Sequence, residues 1–259
     1  AARILNGNLE KFTFVNDKFS NLYTVSKRLG FPEVQGVMLD LGVSSMQLDT
    51  PKRGFSFRYN GPLDMRMSKN GVTAEEVINK FEEFELANIF YKLGEERKSK
   101  QIAREIVRSR TRAKISSTLE LVSIIERVIP NNSRHRIHPA TRCFQALRIY
   151  VNQELEELEK ALCAAKEVLS IGGFLIVISF HSLEDRIVKK FFRNSSLSYP
   201  KSNRYYPELT PTSPTFEIIT RRPIIASKDE IINNPRASSA KCRIAIRANQ
   251  GNDYEEEVK

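Results

Sequence analysis

The chain has 259 residues, of which 41% are hydrophobic, and this suffices for one large domain or for a core domain with an insertion. Its 41 lysines and arginines exceed its 31 aspartates and glutamates, which favours a polyanionic partner such as nucleic acid or an anionic membrane surface. The sequence has no run of about 18 apolar residues that could span a bilayer and no visible signal peptide, so it predicts a soluble, cytoplasmic protein.

The cysteines and histidines do not indicate a metal site. Cys143, Cys163 and Cys242 are widely spaced and form no CxxC pair, so neither a disulfide framework nor a zinc site is predicted, and the thiols are expected to be reduced. His135 and His138 have the spacing of a metal pair on a helix, but the proline after His138 favours a loop or a helix start. We therefore predict no bound metal.

The first predicted elements form a β-α-β unit. Residues 11–16 have the pattern of a strand, a short helix follows and ends near Gly30, and residues 35–41 form a buried second strand. Ligands bind beyond the carboxyl ends of strands in open parallel sheets, so Asp40 at the end of this second strand is predicted to lie at a functional site. The alternative is a plain turn in which Asp40 and the serines after it cap backbone groups.

Residues 53–67 have neither a helix pattern nor a clean strand pattern. The segment is predicted to be a structured loop, and its aromatic rings and guanidinium groups favour binding to unpaired bases and phosphates. Its candidate nucleic-acid contacts are Arg53, Phe55, Phe57 and Arg58. The alternative is a loop that folds its own phenylalanines beneath itself.

Amphipathic helices are predicted over residues 74–93, 97–110 and 118–128, because apolar residues recur there at three- and four-residue spacing. Residues 91–150 hold 14 lysines and arginines against 5 glutamates, so this segment carries nearly the whole net charge of +10. Solvated helix faces are commonly charged. A surplus confined to one segment nevertheless favours a nucleic-acid surface.

Alternating helix and strand patterns return in the last part of the chain. A helix is predicted over residues 144–169 and a strand over 173–180, with His181 directly after the strand. Glu184 and Asp185 are expected to cap the next helix, whereas the position of His181 beyond an apolar strand marks it as a candidate site residue. The remaining predicted elements are strands over residues 215–220 and 242–248 and a solvated acidic tail over 253–257.

Five motifs in order carry a resemblance to a known family. They are LDLGVSS (39–45), GPLDMRM (61–67), FQALRI (144–149), SFHSLEDR (179–186) and NPR (234–236). On these motifs the chain closely resembles the RsmH (MraW) family over about residues 8–248. The resemblance implies a methyltransferase that uses S-adenosyl-L-methionine to modify the exocyclic amine of a cytidine in 16S ribosomal RNA of the small subunit.

The beginning of the sequence departs from the family pattern. Members of the family begin with a strand, a glycine-rich loop and a second strand that ends in an acidic residue. None of these three features is found in this sequence. The resemblance therefore implies that an N-terminal glycine-rich segment is absent. Since such a segment would place a strand in the middle of the sheet, the chain by itself is expected to be poorly stable.

The family pattern also assigns roles to individual residues. The resemblance implies that Phe19 lies beside the adenine of the cofactor, with Asp40 and Gln47 as further cofactor contacts; an aromatic face stacks on a purine and a carboxylate favours a cation. Related amine methyltransferases use an Asp/Asn/Ser-Pro-Pro-aromatic turn, which is missing here. We therefore expect Ser44 or a backbone carbonyl near Gly42 to accept from the amine, with assistance from His181.

The target cytidine must leave its stack to reach the methyl group, and Phe55, Phe57 and Arg58 are the candidates to receive it. Arg53 and Arg148 complete the predicted RNA contacts. The implied partner is 16S ribosomal RNA or the small ribosomal subunit, and the resemblance also implies a homodimer. Two other functions stay open, a non-catalytic RNA-binding or ribosome-assembly protein and a DNA cytosine amine methyltransferase. Membrane association is disfavoured, since the basic helices lack an exposed face of large apolar residues.

The predicted architecture is α/β, a Rossmann-like class I methyltransferase sheet with an inserted helical domain. Residues 1–52 and 148–259 are expected to form the methyltransferase core, with its first part truncated at the N-terminus. Residues 53–147 are expected to form the basic helical insertion that binds the substrate RNA.

Overall fold

The computed structural model describes residues 12–68, 70–131, 137–196 and 213–249. Internal contacts divide the chain into two compact units. Unit 1 comprises residues 1–41 and 155–259, and unit 2 comprises residues 42–154. The predicted domain boundaries lie at 52/53 and 147/148, so the two divisions fall in the same parts of the chain but at different residues.

Unit 1 contains a mixed β-sheet. Strand β1 is parallel to β2, whereas β2, β3 and β4 each pair antiparallel with β5. The strand order is β1-β2-β5-β3, with β4 attached to β5 outside this path. The strands are β1 (Val34–Asp40), β2 (Leu169–Ser179), β3 (Phe216–Ile218), β4 (Ile224–Ile225) and β5 (Lys241–Arg247).

The predicted strand over 11–16 is wrong for its described residues, because residues 12–18 form neither a strand nor a helix. Phe12 and Phe14 are 54% and 75% exposed, so the apolar pattern there does not correspond to a buried ladder. The predicted β-α-β unit therefore consists only of its helix and its second strand. The helix α1 (Leu22–Arg28) is confirmed, and it ends before Gly30, whose φ of +79° is the left-handed conformation of a helix terminus.

One face of the sheet packs on two helices, α8 (Glu154–Val168) and α9 (Ser182–Ser195). Val37 and Leu39 of β1 are buried in this core, and Met38 between them is 60% exposed on the opposite face. This alternation follows from the two-residue period of a strand. The other core residues are Leu41, Leu158, Ala161, Leu162, Ala165, Val168, Leu169, Leu175, Val177, Val188, Phe192, Phe216 and Ala245. A further short helix, α10 (Lys228–Asn233), precedes β5.

Unit 2 is helical. Its helices are α2 (Ser45–Asp49), α3 (Ala74–Lys80), α4 (Glu83–Gly94), α5 (Ser99–Arg110), α6 (Thr118–Val128) and α7 (Ala140–Asn152). They enclose a core that includes Leu86, Phe90, Ile102, Ile106, Leu121, Ile125, Cys143 and Leu147. Burial raises the pKa of the Cys143 thiol, so this thiol stays protonated at neutral pH.

Two long predicted helices are each divided in the structure. The helix predicted over 74–93 is broken because Phe81 is extended, with ψ of 149°, and Glu82 begins α4 with a capping box. The helix predicted over 144–169 is broken because Gln153 takes a left-handed φ of 53° between α7 and α8. Apolar periodicity continues across both breaks, and it therefore does not reveal them.

Within the described ranges, no helix combines the length and the apolarity needed to cross a membrane. The acidic tail 253–257 and His135 lie outside the described residues. His138 lies before α7, where its Nδ1 accepts from the amide of Ala140 at 3.1 Å and its Nε2 lies 3.2 Å from Oε1 of Glu126.

Candidate functional site

Asp40 and His181 lie at the carboxyl ends of neighbouring parallel strands of unit 1. Asp40 is paired with Ile178 of β2, and the amide of Leu41 donates to the carbonyl oxygen of Ile178 at 3.0 Å. His181 comes two residues after the last residue of β2. Asp40 therefore ends β1 and His181 lies just beyond the end of β2, at the same edge of the sheet. The residue Asp40 is exposed, which is the condition that its predicted role requires.

His181 is the N-cap residue of α9. Its Nδ1 accepts from the amide of Glu184 at 3.4 Å, and Oε2 of Glu184 accepts from the amides of Phe180 and His181 at 2.8 and 3.2 Å. This reciprocal arrangement is a capping box. The capping role predicted for Glu184 is therefore confirmed, and the structure adds that the imidazole of His181 is the other half of the cap.

The second ring nitrogen of His181 is buried. The side chain is 8% exposed, and Nε2 lies 3.2 Å from Oε1 of Glu184. Within the part of the chain that the structure describes, Nε2 has no partner in hydrogen-bonding geometry. Because Nδ1 accepts a backbone proton, the proton of the neutral ring belongs on Nε2. His181 thus holds a buried donor beside the Glu184 carboxylate, and an acceptor atom of a ligand would reach it only if the surrounding side chains moved.

Asp185 forms an ion pair instead of the predicted cap. Its two carboxylate oxygens accept from Nε and Nη2 of Arg243 on β5, at 2.7 and 3.2 Å, and Nζ of Lys241 lies 3.5 Å away. Partial burial works to raise the pKa of Asp185, but the hydrogen bonds and charge of Arg243 outweigh it and lower the pKa. This pair could not be predicted from the sequence, because Asp185 and Arg243 are distant along the chain.

Ser44 and Gln47 lie in unit 2 and cap the same helix. Ser44 Oγ accepts from the amide of Gln47 at 3.3 Å, and Gln47 Oε1 accepts from the amide of Ser44 at 2.9 Å. The residue Ser44 is exposed and Gln47 is half-buried. The hydroxyl of Ser44 keeps its own proton and one lone pair after this contact, and the amide nitrogen of Gln47 keeps two donors.

Phe19 begins the short 3-10 helix Phe19–Asn21 that leads into α1 in unit 1. Its side chain is 48% exposed, so one ring face is accessible to a planar ligand. Lys18, beside it, forms an ion pair with Glu157 of α8 at 3.3 Å. Partial burial works to raise the pKa of Glu157, while hydrogen bonds from Ser20 and Lys18 lower it. These contacts attach the Phe19 turn to α8.

The loop 53–67 folds its rings beneath itself, as the alternative interpretation of the sequence described. Phe55 is 7% exposed, and Phe57 packs against Phe144 with 4.8 Å between the ring centroids. The guanidinium of Arg53 donates to the carbonyl oxygens of Arg66 and Met67. Base stacking by Phe55 is therefore contradicted, because its ring offers no accessible face.

Arg148 is also engaged within its own unit. Its Nε and Nη2 each donate to a carboxylate oxygen of Glu154 at 2.8 Å, and its side chain is 15% exposed. A direct contact of Arg148 with a phosphate would require this pair to break. Of the five residues predicted to bind RNA, Arg58 alone is exposed in the structure.

Comparison with known proteins decides the family. Residues 1–248 match the family model described as the MraW methylase family. The chain belongs to the MraW methylase family. Its fold, an α/β arrangement with a mixed sheet, is consistent with the Rossmann-like methyltransferase fold that the sequence predicts, and the MraW assignment makes it a methyltransferase.

Curated relatives agree with the MraW assignment. A protein named ribosomal RNA small subunit methyltransferase H from Bradyrhizobium diazoefficiens is 50% identical over 246 residues, which cover 95% of this chain and 74% of that protein. Its namesake from Nitrobacter hamburgensis is 52% identical over 237 residues, which cover 92% of this chain and 71% of that protein. A third, from Xanthobacter autotrophicus, is 47% identical over 239 residues, with coverages of 92% and 69%.

Proposed function

We propose that the chain transfers a methyl group from S-adenosyl-L-methionine to the exocyclic amine of a cytidine in 16S ribosomal RNA, in the cytoplasm. The observation that carries this proposal is that Asp40 ends strand β1 and His181 lies just beyond the adjacent parallel strand β2, in a member of the MraW family. The relatives' shared name, ribosomal RNA small subunit methyltransferase H, supports the same substrate.

The residues fit the proposed cofactor. S-adenosyl-L-methionine supplies, when bound, a methyl group activated by its sulfonium. The exposed Asp40 offers a carboxylate to a cationic group, and Phe19, 48% exposed, offers a ring face to adenine. Gln47 keeps two amide donors after its capping contact. These are the chemical groups that a molecule with a purine, hydroxyls and positive charge requires.

We assign the contact with the reacting amine to Ser44. A cytosine amine shares its lone pair with the ring, so an acceptor must hold one N–H while the nitrogen becomes tetrahedral. Ser44 Oγ already accepts one backbone proton from Gln47 and retains a second lone pair for this purpose. A backbone carbonyl near Gly42, which has a φ of +86°, is the alternative acceptor.

We assign to His181 the role of a hydrogen-bond donor to the base. The capping contact with Glu184 occupies Nδ1, which leaves Nε2–H as the buried functional group. Cytosine presents acceptors on its ring nitrogen and carbonyl oxygen, and a donor there holds the base without competing for the amine. In this role His181 assists the reaction by orienting the base, and the amine proton leaves to another group or to water.

Transfer of tritium from labelled S-adenosyl-L-methionine tests the proposal. Small-subunit particles that lack the modification are expected to accept label at the cytidine amine, and duplex DNA is expected to remain unlabelled. Label on DNA alone would support a DNA methyltransferase instead. Binding of RNA without transfer, and without heat on titration with the cofactor, would support a non-catalytic RNA-binding protein; either result overturns the proposal.

A further inference from the structure

The hairpin of α4 and α5 in unit 2 has an aromatic and polar outer face. Leu86 and Phe90 of α4 are fully buried in the core, together with Ile102 and Ile106 of α5. On the outer side of α4, Phe84 is 66% exposed. Phe84 is one of several exposed large apolar side chains in the described residues, so its significance depends on the side chains around it.

The adjacent surface of α5 carries a row of cations. Lys100, Arg104 and Arg108 recur every four residues, which places them on one side of the helix and about 6 Å apart along its axis. The side chains of Arg104 and Arg108 are 75% and 66% exposed. Nothing in the mechanism proposed above uses this row.

The cations of this row are only weakly engaged by their own chain. Arg104 lies 3.6 Å from Oε1 of Glu83, and Arg108 lies 3.7 Å from Oε2 of Glu105. Exposed ion pairs of this length contribute little to stability. A phosphate can therefore replace the carboxylate as the partner of Arg104 at small cost.

A shallow surface cavity of about 400 Å³, open to solvent, joins the aromatic and the cationic side chains. It is lined by Glu82, Glu83, Phe84, Ala87, Asn88, Lys100 and Arg104. The amide of Asn88 offers both a donor and an acceptor beside the ring of Phe84. The set therefore combines a stacking surface, an amide able to read a base edge, and two phosphate ligands, which is the composition of single-strand binding sites.

We propose that this face of the α4–α5 hairpin binds an unpaired nucleotide of the RNA through residues other than those assigned to methyl transfer. Phe84 stacks on the base, Asn88 contacts its edge, and Lys100 and Arg104 hold the flanking phosphate. The two glutamates of the cavity disfavour a surface crowded with phosphates, so a single strand fits better than a duplex. The inference rests on the proposed function insofar as that function supplies RNA as the partner.

Fluorescence anisotropy with a labelled single-stranded oligoribonucleotide tests the surface. Phe84→Ala is expected to weaken binding about tenfold or more, since a stacked base contributes substantially to affinity. Lys100→Glu is expected to weaken it several-fold and to reduce the salt dependence of the binding constant. The matched controls are Phe31→Ala, which removes a ring 53% exposed in unit 1, and Lys160→Glu, which makes the same charge change on α8. Both controls are expected to bind like the unmodified chain.

Equal affinity of Phe84→Ala and Phe31→Ala would overturn the inference, as would equal losses for Lys100→Glu and Lys160→Glu. A Phe84-dependent affinity for anionic vesicles that exceeds that for RNA would overturn it in favour of a membrane surface. The readout is binding, so it is independent of methyl transfer. If the unmodified chain transfers no methyl group but binding depends on Phe84, the proposed function fails and this inference stands; if transfer occurs while all variants bind alike, this inference alone fails.

Discussion

Arg243 and Asp185 form a bidentate ion pair, with donor–acceptor distances of 2.7 and 3.2 Å, that attaches strand β5 to the first turn of α9. The side chain of Arg243 is 7% exposed and that of Asp185 is 14% exposed. Glu184, the neighbour of Asp185, holds His181 through the capping box. The ion pair therefore fixes the end of α9 at which His181 lies.

Asp185→Ala is expected to destabilise the protein by about 3–5 kcal/mol, because it leaves the Arg243 guanidinium buried without a counter-charge. Urea unfolding followed by circular dichroism measures this loss. The double variant Asp185→Leu with Arg243→Met removes both charges and is expected to recover most of the lost free energy of unfolding. A double variant no more stable than Asp185→Ala would show that the pair is not the cause.

Asp40→Asn is expected to weaken binding of S-adenosyl-L-methionine by at least about tenfold, since a charged partner contributes about 1.5–3 kcal/mol. Isothermal titration calorimetry measures the affinity. The matched control is Glu33→Gln, which removes the same charge from an exposed residue just before β1, at the opposite end of the strand. Unchanged affinity in Asp40→Asn, or an equal loss in Glu33→Gln, would remove Asp40 from the proposed cofactor contacts.

His181→Asn separates capping from binding at one position. Asparagine is a good N-cap, so this variant is expected to be about 1 kcal/mol more stable than His181→Ala. Both variants lack Nε2–H, and both are expected to lose at least about tenfold in the single-turnover rate of methyl transfer. A wild-type rate in His181→Asn would mean that the imidazole serves only as a cap.

The elements that could be predicted are those whose type is indicated by the spacing of their own apolar residues. The apolar run before Asp40 predicted β1, and the three- and four-residue spacing predicted α6 with the bounds found in the structure, residues 118–128. The predicted strand over 11–16 is wrong for residues 12–16. Alternating phenylalanines indicate a strand only when a neighbouring layer of the protein covers them. The breaks at Phe81 and Gln153 depend on single backbone conformations that the side-chain pattern does not report.

The predicted RNA contacts show the same limit. An arginine or phenylalanine in a loop has the same sequence signature whether it faces RNA or its own chain. Arg148 forms an ion pair with Glu154, only six residues away, and the ring of Phe55 is buried. Neither contact could be predicted from the composition of the segment. Asp40 could be placed at the sheet edge because a residue that ends a parallel strand has one position relative to that edge. The strand itself is not buried as predicted, since one of its faces is exposed at Met38.

The contribution of Asp64 in the loop 53–67 to the stability of the folded state depends on pH. Hydrogen bonds from Arg66, at 2.7 and 3.1 Å, lower the pKa of Asp64 from its ordinary value of 3.8. The folded state thus favours the carboxylate, and this stabilisation is present above the unfolded pKa and is lost as the pH falls through the folded pKa. The sequence alone did not single out this pair.

Asp64→Asn is expected to lower the free energy of unfolding by about 1 kcal/mol at pH 7, and the difference from the unmodified chain is expected to shrink below about pH 4. Urea unfolding at a series of pH values measures it. Glu33→Gln removes an exposed carboxylate as the control and is expected to show a smaller difference throughout. A difference for Asp64→Asn that does not change with pH would contradict the ion-pair origin.

A comparison of alanine variants at Gly54 and Gly71 distinguishes the cost of backbone strain from the cost of a steric clash in unit 2. Both have left-handed φ values, of +71° and +88°. A Cβ on Gly54 would collide with the carbonyl oxygen of Pro62 and lie 2.9 Å from the amide of Asp64, whereas a Cβ on Gly71 would have no atom of the described residues within 4 Å. Gly71→Ala is therefore expected to cost about 1–2 kcal/mol from its backbone conformation alone. Gly54→Ala is expected to cost at least about 3 kcal/mol, because the loop must also move away from Pro62. Thermal unfolding of the two variants measures the difference, and equal losses would show that the loop accommodates the methyl group.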